Sequence, residues 1–136
     1  MDWRECLDKK IAKKVSPDEN LVKSLIKTSE NKLKTQENII IDNITSSSKF
    51  SLAYDSLREL IEALSLKRGF KIYNHEGYTA FLKEIIKNPA LGEKFDDLRK
   101  IRNSINYYGK EISIEDSQRM INSAKELREK IKSLLK

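Results

Sequence analysis

Residues 50–69 read FSLAYDSLRELIEALSLKRG, and apolar side chains recur in this stretch every three or four positions. The recurring residues are Phe50, Ala53, Tyr54, Leu57, Leu60, Ile61 and Leu64. This spacing places them on one face of an α-helix. The helix is predicted to end at Gly69, because glycine readily adopts the left-handed conformation that follows many helices. We therefore expect a long helix whose apolar face is covered by other helices.

A second helix is predicted before this stretch, from Pro17 to about Asp42. Ser16 is expected to cap it, because serine is a preferred N-cap residue. Pro17 suits the first helical position, where its missing N–H costs no hydrogen bond. The polar residues 43–48 separate the two helices, and their hydroxyls are predicted to cap the helix that follows.

Further helical segments are predicted after residue 69. Apolar residues recur from Tyr78 to Ile86, and Asn88-Pro89 stops that pattern. The next helix is predicted to end at Gly109, and Ser113 opens the last one. No alternating pattern predicts a β-strand, and the nearest candidate, residues 111–114, is too short.

These segments predict an all-α fold, an antiparallel up-and-down bundle of four main helices plus a short N-terminal helix. Short connections favour this arrangement because they hold sequence neighbours side by side. A chain of 136 residues is expected to form one core, so residues 1–136 are predicted to be a single domain. Trp3, Leu7 and Ile11 recur every four residues, which predicts an accessory amphipathic helix over residues 1–14.

The composition excludes several classes of protein. A single cysteine, Cys6, excludes an internal disulfide and a cysteine-based zinc site. Four scattered glycines exclude a glycine-rich phosphate loop. Because His75 is the only histidine, we expect no metal site and no cofactor. The formal net charge of +6 favours polyanions through non-specific attraction.

The sequence also bears on location. No apolar run approaches the ~18 residues that a membrane span needs, so no membrane association is expected. The first five residues, MDWRE, lack the apolar stretch of a signal peptide. We therefore predict a cytoplasmic protein.

A polar strip runs along one face of the helix predicted to end at Gly109. Its members recur at steps of three and four residues and are Arg99, Arg102, Asn103, Asn106 and Tyr107. Arginine donors suit a phosphate, and tyrosine stacks on a base or donates to an oxyanion. Together with Tyr108, the polar strip is the candidate binding site for RNA or a nucleotide. The same residues also fit a helix end at which arginine and asparagine cap carbonyls and the tyrosines pack.

Residues 98–103, LRKIRN, resemble the signature of HEPN domains, helical bundles named for higher eukaryotes and prokaryotes nucleotide binding. Residues 53–60, AYDSLREL, and the turn KRGFK at 67–71, followed by His75, are similar to the second and third helices of HEPN proteins. The resemblance covers roughly residues 17–136. It implies a HEPN-like helical bundle.

Many HEPN proteins are ribonucleases that use an arginine followed after four to six residues by a histidine, assembled across a dimer cleft. Arg102 and Asn103 match the first half of that motif, but Tyr107 stands where histidine is expected. A tyrosine hydroxyl has an ordinary pKa of about 10, which makes it a poor general base. His75 could enter the same cleft from another helix. The catalytic candidates are therefore Arg102, His75 and Tyr107, and the question of enzymatic activity stays open.

Three functional hypotheses follow from the sequence. The first is a HEPN-like protein, expected to be a homodimer, that binds RNA, a nucleotide or a nucleotidyltransferase-type partner. The resemblance implies such a partner because HEPN proteins are often encoded with small nucleotidyltransferases as toxin–antitoxin pairs. The second hypothesis is a divergent metal-independent ribonuclease. The third is a purely structural dimeric module, in which the polar strip holds a dimer or a helix end together.

Overall fold

The computed structural model describes residues 1–136 and contains four long helices. They are α2 (Glu19–Glu37), α3 (Ser46–Lys67), α5 (Pro89–Tyr108) and α6 (Ile114–Leu135). The shorter elements are α1 (Trp3–Asp8), β1 (Ala12–Lys14), β2 (Phe70–Ile72), α4 (His75–Ala80) and a π-helical turn (Phe81–Ile85) that continues α4. The predicted all-α bundle of four main helices is confirmed. None of the helices combines the length and the apolar content required to cross a membrane.

Helix α3 forms the centre of the core and packs against α2, α5 and α6. All seven apolar residues predicted on its buried face are at most 1% exposed. The predicted helix ends are confirmed as well, because Gly69 and Gly109 have left-handed φ angles of +88° and +63°. Ser113 caps α6 through its Oγ atom, which accepts a hydrogen bond from the backbone N–H of Asp116 at 3.1 Å.

The prediction of one helix over residues 1–14 is wrong beyond Asp8. Lys10 adopts a left-handed φ of 59°, which stops the helix. Residues 12–14 then form β1, which pairs antiparallel with β2 in the register Ala12 to Ile72 and Lys14 to Phe70. The expectation of no strands is also wrong. Each strand has only three residues, which is too short for an alternating pattern to be recognised in the sequence.

Helix α2 is shorter than predicted at both ends. Asp18, not Ser16, is the N-cap, because its Oδ1 atom accepts a hydrogen bond from the backbone N–H of Leu21 at 3.0 Å. The helix ends at Glu37, not at Asp42, and the Lys49 Nζ atom donates to the carbonyls of Gln36 and Ile39 at 2.6 and 2.7 Å. The Gln36 carbonyl also accepts from the Ile39 N–H at 3.2 Å, so this ammonium reinforces the turn that follows the helix.

The hydroxyls before α3 do not cap that helix, which corrects another expectation. Thr45 is the N-cap residue, but its side chain makes no capping hydrogen bond. Ser46 instead donates to the carbonyl of Ile112 at 2.7 Å, and the Ser47 hydroxyl accepts from the Ile112 N–H at 3.1 Å. The start of α3 is therefore tied to the connection between α5 and α6.

Candidate functional site

A surface cavity of about 320 Å³ lies between the segment that joins β2 to α4 and the second half of α5. The joining segment and the start of α4 contribute Tyr73, Asn74, His75 and Glu76. Helix α5 contributes Arg99, Arg102, Asn103 and Tyr107. We call it the His75–Arg102 cavity. Its lining is mostly polar, unlike the apolar lining of a typical drug-sized pocket.

Three local features fix the position of His75. Asn74 caps α4, and its Oδ1 atom accepts a hydrogen bond from the backbone N–H of Gly77 at 2.8 Å. Gly77 lies so close to β2 that a Cβ atom there would approach Cγ2 of Ile72 to 2.7 Å. The backbone N–H of Tyr73 also donates to the carbonyl of Ile11 at 2.7 Å. The β1–β2 pair therefore holds the histidine against α5.

A buried tyrosine hydroxyl determines which ring nitrogen of His75 carries the proton. The Tyr54 hydroxyl lies 2.8 Å from the Nδ1 atom of His75. Burial raises the pKa of Tyr54 well above its usual value, so this hydroxyl stays protonated. Because the hydroxyl has no other acceptor in the structure, we assign it as the donor to Nδ1. Nδ1 is then the acceptor, and the ring proton is on Nε2.

Burial and neighbouring cations keep His75 neutral. Burial is the larger cause, and the guanidinium groups of Arg58, Arg102 and Arg99 add to it, which together lower the pKa of His75 to about 4. At neutral pH the imidazole therefore carries no charge. It offers an N–H donor, from Nε2, to a ligand in the cavity.

Arg102 has few partners within the protein. Its Cζ atom lies 5.5 Å from the centre of the Tyr54 ring, within the range of a cation–π interaction. Its single ion-pair partner is Asp55, at 3.8 Å between Nη2 and Oδ1, which is too long for a hydrogen bond. The donors of this guanidinium are therefore available to a ligand.

Arg99 is held more firmly, from one side. Its Nε atom donates to Oδ1 of Asp96 at 2.9 Å, and the Thr79 hydroxyl donates to the same oxygen at 3.0 Å. Burial opposes the ionisation of Asp96, but hydrogen bonds from Arg99, Thr79 and Lys100 outweigh it and lower the pKa of this carboxyl group. The bond through Nε leaves the two Nη groups of Arg99 for a ligand.

The structure brings five of the predicted site residues to one cavity: Arg99, Arg102, Asn103, Tyr107 and His75. Asn106 and Tyr108 do not line it, and the ring of Tyr108 is 84% exposed. The carbonyls near the end of α5 accept hydrogen bonds from backbone N–H groups and from Ser104, and not from the arginine or asparagine side chains of the polar strip.

Sequence reasoning missed Tyr73, Asn74 and Glu76 in the lining and Tyr54 beneath it. Tyr54 belongs to the apolar face of α3 and was assigned to the core, where its ring does lie. The sequence carries no signal for Tyr73, because it follows a strand of only three residues, which is too short to show a pattern. The Lys71 Nζ atom lies 5.4 Å from the centre of the Tyr73 ring.

Comparison with known families agrees with this geometry. The model of the HEPN domain family matches residues 22–134, which is most of the chain. The chain belongs to the HEPN family. The resemblance seen in residues 98–103 is thereby confirmed. A search among curated proteins returned no match.

All lining residues of the His75–Arg102 cavity fall within the HEPN match, whereas α1 and β1 lie outside it. No group of three or more histidine, cysteine, aspartate or glutamate side chains is arranged to hold a metal ion in this HEPN protein. The chemistry that the cavity offers is that of two guanidinium groups, a neutral imidazole, two amides, two phenols and one carboxylate.

Proposed function

We propose that this HEPN protein binds single-stranded RNA, or a nucleotide with the same phosphate and base groups, in the His75–Arg102 cavity. The observation that carries the proposal is the guanidinium of Arg102, which faces the cavity with no hydrogen-bond partner of its own. Arginine pairs with phosphate through parallel N–H donors, and these bonds are stronger than those between neutral groups.

Aromatic rings next to the arginines support a nucleotide over a simple anion. Tyr73 and Tyr107 line the same cavity and are 52% and 75% exposed. Proteins that bind single-stranded nucleic acid combine a positively charged groove with aromatic side chains on which bases stack. In this proposal Arg99 and Arg102 bind phosphate oxygens, and the two tyrosines contact bases.

Binding of a short single-stranded RNA, measured by fluorescence anisotropy, tests the proposal. The Arg102→Ala variant should lose about tenfold or more in affinity, as expected when a charge-assisted hydrogen bond is removed. Arg119→Ala is the matched control, because Arg119 lies on α6, is largely exposed and does not line the cavity. Equal affinity of Arg102→Ala and the wild-type protein would contradict the proposal.

Ribonuclease activity is a second candidate function, since His75 and Arg102 line one cavity within a single chain. In that reaction a ribose 2′-hydroxyl attacks the adjacent phosphorus, and the 5′-oxygen of the next nucleotide leaves. The tautomer set by Tyr54 leaves no free ring nitrogen on His75 to accept the 2′-hydroxyl proton. We therefore expect binding without cleavage.

A cleavage assay separates the two candidates. Labelled RNA should stay intact when it is incubated with the protein in EDTA. Cleavage that survives EDTA and disappears in both Arg102→Ala and His75→Ala would instead favour the ribonuclease, with Arg102 on the phosphate and His75 or Tyr107 moving protons.

The homodimer, the nucleotidyltransferase-type partner, the toxin–antitoxin role and the cytoplasmic location stay predictions of this proposal. Light scattering coupled to size exclusion tests the first of them. The structural hypothesis makes a different prediction, because Arg102→Ala would then dissociate the dimer or lower the melting temperature while RNA binding stayed unchanged.

A further inference from the structure

A second surface cavity, of about 210 Å³, adjoins the His75–Arg102 cavity. Arg99 and Glu76 line both cavities, so the two share a wall. The remaining charged and hydroxyl groups of the second cavity belong to Thr79, Lys83, Asp96 and Lys100. We call it the Lys83–Lys100 cavity.

The backbone places Lys83 at this wall. Lys83 lies in the π-helical turn that continues α4, and such turns are frequent at functional sites. Its side chain crosses Gly92 of α5, where a Cβ atom would come within 2.5 Å of the Lys83 Cγ atom. Only a glycine leaves room for the lysine stem at that point.

The cations of the second cavity can exchange their present partners for a phosphate. Lys83 pairs with Glu93, whose side chain is 63% exposed, and exposed pairs of this kind contribute little to stability. Lys100 is 67% exposed and lies 3.2 Å from Oδ2 of Asp96, which leaves two of its three donors free. Four cationic side chains and two carboxylates, Glu76 and Asp96, line the two cavities. Glu93 and Asp55 pair with Lys83 and Arg102 from outside the lining.

We infer that the Lys83–Lys100 cavity is a second phosphate subsite, so that the ligand is an oligonucleotide and not a single nucleotide. This inference rests on the proposed function. One phosphate would bind Arg102 and a second would bind Lys83 and Lys100. Arg99, with Nε fixed on Asp96, stands between them and faces both. The path follows the backbone of one strand, as a charged groove does in other single-strand binders.

The test compares two probes, uridine monophosphate and a single-stranded uridine hexanucleotide, over a range of salt concentrations. The test variant is Lys83→Gln combined with Lys100→Gln. Glutamine removes the charge and keeps a helix propensity close to that of lysine, so the fold should be retained. Lys94→Gln is the control, since Lys94 is an exposed lysine of α5 that lines neither cavity.

The hexanucleotide should bind the wild-type protein more tightly than the monophosphate does. For a single strand, the logarithm of affinity falls against the logarithm of salt concentration with a slope of about 0.7 for each phosphate contacted. The double variant should therefore reduce the slope for the hexanucleotide by about 0.7 and weaken its binding several-fold. Binding of the monophosphate should stay as it is.

Three results would overturn the inference. If both probes bind the wild-type protein with equal affinity, or if the double variant behaves like Lys94→Gln toward the hexanucleotide, the second subsite does not exist and the proposed function still stands. If neither probe binds, the proposed function fails together with the inference.

Discussion

At the residue scale, one buried tyrosine supports both principal groups of the candidate site. The Tyr54 hydroxyl bonds to His75, and the face of its ring lies beneath Arg102. The ring also stacks on Phe95 of α5, with 5.7 Å between ring centres and an angle of 20° between the planes. Tyr54 touches no solvent, so we interpret it as a positioning residue that acts through His75 and Arg102.

Replacing Tyr54 by phenylalanine should separate these two roles. The ring would remain under Arg102, whereas Nδ1 of His75 would lose its donor, at a cost of about 1 kcal/mol in unfolding free energy. Because the lost bond stabilises the neutral imidazole, the pKa of His75 should rise above about 4, while burial and the neighbouring guanidinium groups keep it below its ordinary value. Titration of the single imidazole signal by NMR measures this shift.

Tyr78→Phe is the matched control for that experiment. The Tyr78 hydroxyl is also buried, but it donates to Glu62 at 3.3 Å and not to His75. Both variants are titrated in the same way by NMR. Equal His75 pKa values in Tyr54→Phe and Tyr78→Phe would contradict the positioning role of Tyr54.

Stability should also depend on pH through His75. Its pKa is about 4 in the folded protein and about 6.5 when unfolded, so the unfolded chain binds the proton first as the pH falls. The contribution of His75 is complete above about pH 6.5 and is lost toward pH 4, by on the order of 2 kcal/mol. Urea unfolding gives the difference in unfolding free energy between the wild-type protein and His75→Gln. The change in this difference between pH 7 and pH 4 measures the contribution of His75. A constant difference would argue against a neutral folded histidine.

At the scale of elements, the sequence predicted those helix boundaries that are decided by interactions within one turn of helix. The ends of α3 and α5 follow from Gly69 and Gly109, and the start of α6 follows from Ser113, because each signal acts on its own turn of helix. The predicted end of α2 near Asp42 is wrong because the isoleucines at 39–41 continue the helical spacing in the sequence, whereas the helix ends at Glu37 and Ile40 is 84% exposed. A continuous run of apolar residues is compatible with helical spacing even where those residues are not buried in the core.

Contacts between distant parts of the chain set the limit of prediction for the site. Arg99, Arg102, Asn103 and Tyr107 could be grouped because they share one helix. Tyr73 and its neighbours reach the cavity only because β1 pairs with β2, and a three-residue strand leaves no periodic trace in the sequence. The approach of His75 to Arg102 therefore needed the tertiary structure.

The N-terminal segment should contribute strongly to stability although it lies outside the HEPN match. The ring of Trp3 packs edge-on against Phe70 of β2, with 5.1 Å between ring centres. It also packs at a tilt against Phe81, with 5.9 Å between ring centres. Trp3→Ala should lower the unfolding free energy by about 3 kcal/mol or more, as for other buried aromatic side chains. It should also weaken RNA binding, because β2 leads directly into the cavity.

Urea unfolding followed by circular dichroism measures the loss in Trp3→Ala. Leu7→Ala is the control from the same helix, because Leu7 is 38% exposed and its truncation should cost much less. Equal midpoints for Trp3→Ala and the wild-type protein would show that the segment only rests on the bundle.

At the scale of the whole molecule, a buried arginine connects helices that are distant in sequence. Arg128 of α6 is 1% exposed, and its Nη2 atom donates to the Ser29 hydroxyl at 3.0 Å and to Glu30 at 3.4 Å, both on α2. Burial opposes ionisation of Glu30, but Arg128 and Lys132 outweigh it and lower the pKa of that carboxyl group. The Nε atom of Arg128 has no partner.

Two substitutions at Arg128 should therefore differ in effect. Arg128→Ala leaves a cavity and removes the hydrogen bonds to Ser29 and Glu30, although Ser29 keeps its bond to the Ser56 carbonyl and Glu30 keeps Lys132. It should therefore cost about 2–5 kcal/mol. Arg128→Met fills the same space with an apolar chain and should cost clearly less, because a buried ion pair is often no more stable than well-packed apolar side chains. Chemical unfolding of both variants tests this order, and an equal loss in the two would mean that the charge itself is required.

The β1–β2 pair has one more consequence, for the way this molecule can be observed. Trp3 precedes β1 and His75 follows β2, and each is the single residue of its type in the chain. Indole fluorescence therefore reports on the docking of α1, and the imidazole NMR signal reports on the cavity, without any label. If α1 and the cavity unfold together because the β1–β2 pair connects them, both signals should change with the same time constant when the protein is mixed with denaturant. If α1 detaches first, the fluorescence change should precede the NMR change.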